Sequence, residues 1–285
     1  MKERESTQTE TRETEPNLKT PIIDIVRHGS TDYKELTNSD FEFNPDSPDF
    51  KLNAEHLDLT KEGIKEILEA AQQIEQRIDK QNEVVILTTS PNFRAQSSIF
   101  LIEKYLRENG VTILNSEKIF KTQSLRQIKF RDVPHDEWVE HHQRYIEDDP
   151  DFAKLPTEVA HTQIVNEVYG QTISEFCTEG YDDIDQRFNN FVRHMSNIQN
   201  WFSAETMALL KGKRLRIIAL THEELPARFM KQTLNTKENL KKGQVLEISP
   251  IKADETENQQ IKISLLKKLS GESESAEIMV DDIKH

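Results

Sequence analysis

Short apolar runs alternate with longer amphipathic segments in the first part of the chain, and this alternation constrains the fold more than any other feature. Residues 22–26, 84–87 and 111–114 are β-branched or aliphatic runs, typical of buried strands. Between them, residues 60–80 and 91–110 carry apolar side chains at helical spacing. This order of strand, helix, strand, helix, strand predicts a parallel sheet with crossover helices.

The second half of the sequence continues the same layered pattern. Residues 135–210 are mostly helical in pattern, which predicts a helical insertion. Residues 215–220 form a fourth apolar run, and residues 244–249 and 261–265 predict late strands at the edge of the sheet. We therefore predict an α/β fold, a three-layer sandwich with a mostly parallel central sheet.

The chain of 285 residues is long enough for one elaborated domain, which we place at residues 21–269. Residues 1–20 have no apolar core, and residues 270–285 are acidic, so both are predicted to be solvated tails. Residues 32–56 mix polar residues with aromatics without a regular period, and this predicts a long loop.

Charge and hydropathy exclude several classes of function. Lysine and arginine number 37 against 51 acidic residues, and a net charge of −14 disfavours nucleic acid and anionic membranes as partners. The mean hydropathy is −0.72 and no long apolar run occurs, so we expect a cytoplasmic protein. The single cysteine, Cys177, excludes an internal disulfide and a multi-cysteine metal site. Asp183 stands where a cysteine-based phosphatase loop needs arginine, so Cys177 is predicted to be a core thiol.

Three predicted strands run into residues that can bind an anion. Arg27 and His28 follow the first strand, and His222 follows the fourth. Arg94 is expected on the first turn of the helix after residues 84–87. Ligands of open parallel sheets bind at the carboxyl ends of strands, so these side chains are expected to share one crevice suited to phosphate. The alternative is structural, with satisfied core histidines and an arginine that caps its helix.

These motifs resemble the histidine phosphatase superfamily, which has the phosphoglycerate mutase-like fold. The resemblance rests on RHGST at 27–31, LDLTKEG at 57–63, TSPNFRA at 89–95 and the strand with its histidine at 217–222, and it covers roughly residues 21–250. It implies that His28 is the nucleophile that becomes phosphohistidine. It also implies that Arg27 and Arg94 bind phosphoryl oxygens and that His222 completes the pocket. Thr31 matches the hydroxyl residue that follows the family's triplet.

The sequence departs from the family pattern at the proton donor. Gln127 stands where a glutamate is expected, and Arg131 replaces a glycine. An amide cannot act as a general acid. Glu223 and Glu224, directly after His222, are the best substitutes, and Asp132 is a third candidate. Both glutamates have a structural alternative as acidic residues at a helix N-terminus.

The predicted function is hydrolysis of phosphomonoesters without metal or cofactor, with a small phosphorylated metabolite or a phosphoprotein as partner. A mutase is less favoured, because no residue marks a site that re-donates phosphate. The alternative is a degenerate, weak or inactive member that binds phosphorylated ligands or a protein partner. The histidines and acids of residues 135–142 lack the spacing of a metal site and predict a solvated helix. Trp138, Tyr145 and Trp201 are predicted to be core residues, with the mouth of the pocket as an alternative place.

Overall fold

The computed structural model describes residues 20–31, 59–131, 135–236, 239–251, 260–266, 273–280 and 283. Its strands are β1 (Ile22–Arg27), β2 (Glu83–Thr89), β3 (Phe120–Lys121), β4 (Arg214–Thr221), β5 (Val245–Pro250), β6 (Gln260–Leu266) and β7 (Ser273–Met279). Its helices are α1 (Lys61–Glu75), α2 (Phe93–Glu108), α3 (His135–Asp148), α4 (Thr157–Tyr169), α5 (Ile173–Phe176), α6 (Tyr181–Ser196), α7 (Ala204–Leu210) and α8 (Glu224–Thr233). Within these residues no helix has the length and apolarity needed to cross a membrane.

The strands form one mixed sheet in the order β3, β2, β4, β1, β5, β6, β7. β2 pairs in parallel with β3 and β4, and β4 pairs in parallel with β1. Beyond β1 the pairs are antiparallel: β1 pairs with β5, β5 with β6, and β6 with β7. Five of the seven described strands run in one direction, since β6 again follows the direction of β1. The predicted α/β class with a mostly parallel sheet is confirmed.

Helices cover both faces of the sheet and bury two separate apolar cores. On one face, Ile67 of α1 and Ile102 of α2 pack with Val26 and Leu87. On the other face, side chains of helices α3, α4, α5, α6 and α8 share one apolar cluster with those of β1 and β4. Alternating side chains of β1, β2, β4, β5 and β6 supply both cores, which gives three layers.

The structure corrects three predictions about strands. β5 and β6 lie inside the sheet rather than at its edge. The edge is β7 (Ser273–Met279), within the predicted acidic tail at 270–285. Polar and charged residues are common in edge strands, so such a strand and a solvated tail have similar compositions and composition alone does not separate them. The predicted strand at 111–114 contributes only an isolated bridge from Ile113 to β2, and the paired strand β3 comes later.

Some predictions lie outside the described residues. The N-terminal tail, apart from Thr20, and the loop at 32–56 are among these, and so is Asp132. Helices α3 to α7 occupy the stretch predicted as a helical insertion at 135–210. α6 packs directly on β1, so this stretch also supplies one layer of the fold.

A buried charge cluster lies toward the amino ends of β2 and β4. The guanidinium of Arg216 donates to Glu83 Oε2 at 2.8 Å, Asp24 Oδ2 at 2.9 Å and Glu247 Oε2 at 3.4 Å. Burial, opposed by Arg216, raises the pKa of Asp24 to about 6. The cluster links four neighbouring strands, β2, β4, β1 and β5, at the end of the sheet opposite the predicted site.

Candidate active site

The carboxyl ends of three neighbouring strands position the predicted site. β1, β4 and β2 are adjacent and parallel, and their last residues lead into the segments that carry His28, His222 and Arg94. The backbone N–H of His28 donates to Thr221 O at 3.1 Å, and that of Ser90 donates to Leu220 O at 2.9 Å. These bonds join the three segments where they leave the sheet, so residues distant in sequence are held side by side.

The two predicted histidines face one another in the interior. Their ring centroids are 5.1 Å apart at an interplanar angle of 60°, and both residues are buried. His28 Nδ1 lies 2.8 Å from the carbonyl oxygen of Gly29, which can only accept, so Nδ1 carries the proton. The lone pair is therefore on His28 Nε2, which accepts a hydrogen bond from Arg94 Nε at 3.1 Å.

The ring of His222 is oriented through Ser90. The Ser90 hydroxyl donates to Asn92 Oδ1 at 2.9 Å and lies 2.8 Å from His222 Nε2, so this nitrogen donates to the hydroxyl. His222 Nδ1 is buried and has no hydrogen-bond partner among the described residues. An unsatisfied buried polar atom is costly, and a ligand at this point would supply the missing partner.

The segment after β1 is fixed by close contact with α1. A Cβ at Gly29 would lie 2.3 Å from the carbonyl oxygen of Gly63, so only glycine fits. Thr60 caps α1 by accepting from Gly63 N at 3.1 Å. Glycine in the Arg-His-Gly triplet is thus needed for the packing that holds His28 in place.

Two guanidinium groups flank the histidines. Arg94 lies on the first turn of α2, is buried, and also donates through Nη2 to Gln127 Oε1. Arg27 donates through Nη1 to Leu240 O at 2.8 Å and forms an ion pair with Glu223. Arg27 Nε is buried without a hydrogen-bond partner among the described residues. Forked donors of this type match the oxygens of a phosphoryl group.

The two candidate acids have different surroundings. Glu223 accepts from Asn239 Nδ2 at 2.8 Å and pairs with Arg27, so both of its oxygens are engaged. Glu224 is buried and accepts from the backbone N–H of Ile128 at 2.8 Å. Burial raises the pKa of Glu224, with the charge of Arg94 opposing the rise. A buried carboxyl with a raised pKa can hold a proton, and Glu223 differs from it in being paired with a guanidinium.

A cavity of about 420 Å³ brings the predicted residues together. Its lining includes every residue predicted for the site, namely Arg27, His28, Thr31, Arg94, His222, Glu223 and Glu224, together with Gln127. Burial and then the charges of Arg94 and Arg27 lower the pKa of His28 well below its usual value. Burial and Arg94 likewise lower the pKa of His222. Both imidazoles are therefore neutral at pH 7, and a neutral imidazole is the nucleophilic form.

Comparison with known proteins gives matches among solved structures only. No protein-family model and no curated protein matches the sequence. The structure is similar to a phosphoglycerate mutase from Bacillus anthracis str. Sterne at 13% identity and TM-score 0.47, covering 81% of this chain and 89% of that chain. It is also similar to the Klebsiella sp ASR1 phytase at 9% identity and TM-score 0.36, covering 91% and 87% respectively. The Hafnia alvei phytase matches at 11% identity and TM-score 0.37, covering 90% of each chain.

Sequence reasoning missed one charged residue of the cavity. Lys242 lies beside Arg27 because the N–H of Gly243 donates to Arg27 O at 3.0 Å, where the chain turns into β5. Gly243 adopts a φ of +66° and passes against Glu66 in this turn. Burial and the charge of Arg27 lower the pKa of Lys242. A Lys-Gly pair before a strand is an ordinary turn signal, so the sequence alone does not indicate this placement.

The helical insertion supplies the other unpredicted part of the cavity. It contributes the neutral lining residues Trp138, His142, Gln143, Thr157 and His161, and Phe130, just before the insertion, lies with them. Trp138 belongs both to the core, as predicted, and to the cavity wall. Tyr145 and Trp201 are not among the residues that line the cavity, and Trp201 is exposed.

Proposed function

We propose that the protein hydrolyses phosphomonoesters through a phosphohistidine formed on His28. The observation that carries this proposal is the convergence of two neutral imidazoles and two guanidinium groups on one cavity. Phosphoryl transfer needs positioning and neutralisation of charge on the equatorial oxygens, and guanidinium groups provide both. Arg27 Nε, which is buried without a hydrogen-bond partner among the described residues, can donate to a phosphoryl oxygen.

In the first step, the lone pair of His28 Nε2 attacks phosphorus and forms the N–P bond while the ester P–O bond breaks. In the structure, Arg94 Nε donates a hydrogen bond to that nitrogen. Before the attack, this donor must turn from His28 Nε2 to a phosphoryl oxygen of the substrate. The carboxyl of Glu224 gives its proton to the leaving oxygen. In the second step, water attacks phosphorus, the P–N bond breaks, the proton returns to Glu224, and phosphate leaves.

Glu224 is the better donor of the two candidates because of its environment. It is buried with a raised pKa, whereas Glu223 is held by Arg27. Gln127 accepts from Arg94 through Oε1, so its amide group positions that guanidinium and supplies no proton. The roles of Arg27, Arg94 and Thr31 in phosphate binding and of His222 in completing the pocket belong to the same proposal.

The replacement at Gln127 favours a second candidate function. A member without an effective proton donor would bind phosphorylated ligands and turn them over slowly or not at all. Alkaline-quenched trapping with ³²P-labelled p-nitrophenyl phosphate separates the two functions, because phosphohistidine is stable in alkali and this leaving group needs no proton donor. We expect labelled wild type, no label on His28→Ala, and full label on the control His194→Ala, whose ring contacts Trp201 outside the cavity. Unlabelled wild type that still binds phosphate would support the binding function.

A further inference from the structure

The cavity has two ends of different chemistry. At one end lie the groups assigned to phosphate, and the charge of Lys242 contributes to lowering the pKa of His28, which places that lysine at the same end. The other side is a wall of rings formed by Phe130, Trp138, His142 and His161. We call these four residues the aromatic wall. The hydrolytic steps proposed above use none of them.

The aromatic wall is braced by contacts among its own rings. The centroids of Phe130 and Trp138 are 4.1 Å apart, and His161 meets Trp138 edge to face at 5.1 Å and 83°. Phe176 supports both aromatic rings from behind, at 5.5 Å from Phe130 and 5.8 Å from Trp138. Rings fixed in this way present their faces and edges to the cavity without further ordering, which lowers the entropic cost of binding.

The aromatic wall carries no positive charge. Burial lowers the pKa of His161 to about 3 and also lowers the pKa of His142, so both imidazoles are neutral at pH 7. Among the wall's described polar neighbours in the cavity, Gln143 and Thr157 are neutral, and Glu223, whose charge acts on His142, is acidic. A second anionic group on the substrate would lose water here without gaining a cation, which is costly. An uncharged ring would instead meet favourable edge-to-face partners.

We propose that the site takes aryl phosphomonoesters, with the aromatic leaving group packed against the aromatic wall. This inference rests on the proposed function, because the phosphate must occupy the cationic end for the ring to reach the wall. The volume of about 420 Å³ lies within the range of small-molecule pockets. A phosphorylated phenol is the shared chemistry of a small aryl phosphate and of a phosphotyrosine side chain.

Binding of non-hydrolysable phosphonates tests the inference without relying on turnover. Calorimetry would compare benzylphosphonate with cyclohexylmethylphosphonate, which has a ring of similar size but no π system. We expect benzylphosphonate to bind about 2- to 10-fold more tightly, the ratio that a favourable aromatic pair provides. Trp138→Leu should reduce this preference to about 1. Trp201→Leu removes an exposed tryptophan outside the cavity and should leave the preference unchanged.

Two results of the calorimetric comparison would contradict the inference. Equal affinities in wild type, or a preference that survives in Trp138→Leu, would overturn the aromatic wall as the leaving-group site. Since Trp138 is also a core residue, Phe130→Leu provides a second variant, and binding of inorganic phosphate checks that the cationic end is intact in both. Phosphohistidine trapping with p-nitrophenyl phosphate reports separately on the proposed hydrolysis, so either idea can fail alone.

A final comparison distinguishes the two sources of the aryl phosphate. Phosphonomethylphenylalanine would be tested as the free amino acid and within a neutral peptide. Peptide binding at least tenfold tighter would support a phosphotyrosine side chain, and equal or weaker peptide binding would support a small aryl phosphate. Binding of neither form, with benzylphosphonate bound no better than its saturated analogue, would overturn the inference.

Discussion

Replacing Glu224 by glutamine tests the proposed proton donor most directly. The substitution removes the proton, yet the amide oxygen can still accept from the backbone N–H of Ile128, the bond that Glu224 Oε1 makes at 2.8 Å. The side chain is buried and nearly the same size, so the packing is preserved. The raised pKa of Glu224 means that its contribution to stability is present below its unfolded-state value and is lost as pH rises through the folded-state value. Glu224→Gln should therefore be at least as stable as wild type at pH 7.

The expected kinetic effect depends on the leaving group. General acid catalysis contributes about 10²- to 10⁴-fold, or roughly 3 to 5 kcal/mol of activation free energy. We expect kcat/KM of Glu224→Gln to fall by this factor for an alkyl phosphate such as a sugar phosphate. For p-nitrophenyl phosphate, whose leaving oxygen needs no proton, the fall should be less than about threefold. In wild type, kcat for the alkyl phosphate should decline as pH rises through the raised pKa of Glu224, and the variant should lack this decline.

Glu223→Gln is the matched control, since it makes the same chemical change one residue earlier. It breaks the ion pair with Arg27, so its effect should act through phosphate binding and be equal for both leaving groups. Equal losses for both substrates in Glu224→Gln would refute the assignment of Glu224 as donor. An unchanged rate on the alkyl phosphate would do the same. A greater loss on the alkyl phosphate in Glu223→Gln would transfer the role to Glu223.

Two further predictions concern the framework that supports the site. Asp24→Asn should remove a pH-dependent loss of stability: with a folded-state pKa of about 6 against 3.8, wild type should lose about 1 kcal/mol of unfolding free energy between pH 5 and pH 8. Urea unfolding should show a flatter profile in the variant, where Arg216 keeps two carboxylate partners, and parallel profiles would contradict this account. Gly29→Ala should destabilise the fold by about 1 to 3 kcal/mol or more because its Cβ would overlap Gly63. Gly180→Ala, whose Cβ would meet its nearest atom at 3.6 Å, should cost less than about 1 kcal/mol in the same thermal unfolding assay, and equal costs would be inconsistent with steric overlap.

The sequence predicts those residues of the candidate site that lie at or just after the carboxyl end of a strand. Arg27, His28 and His222 follow directly from apolar runs that can only be buried strands, and a parallel sheet brings such ends to one edge. Arg94 is one helical turn away from a strand end, so the same reasoning reaches it. Lys242 was missed because its position depends on the turn that brings β5 beside Arg27.

The local sequence pattern does not predict that the residues of the aromatic wall line a cavity. Trp138, His142 and His161 belong to amphipathic helices whose apolar faces predict core packing in any case. Whether such a face also borders a cavity depends on how the helices sit over the sheet. The sequence also cannot distinguish Glu223 from Glu224 as the candidate proton donor. Adjacent residues of one type differ only in the partners and the burial that the fold gives them.

By itself, the sequence determined the α/β class and the order of the residues predicted to bind an anion at strand ends, because periodicity and turn residues are properties of neighbouring positions. It misjudged the polar strand β7, whose pairing with β6 depends on a distant segment that composition cannot reveal. The tertiary structure decided which imidazole nitrogen carries the lone pair, which glutamate is buried and what the cavity offers beyond phosphate. These properties depend on burial and on contacts between distant residues, and only the closed fold creates them.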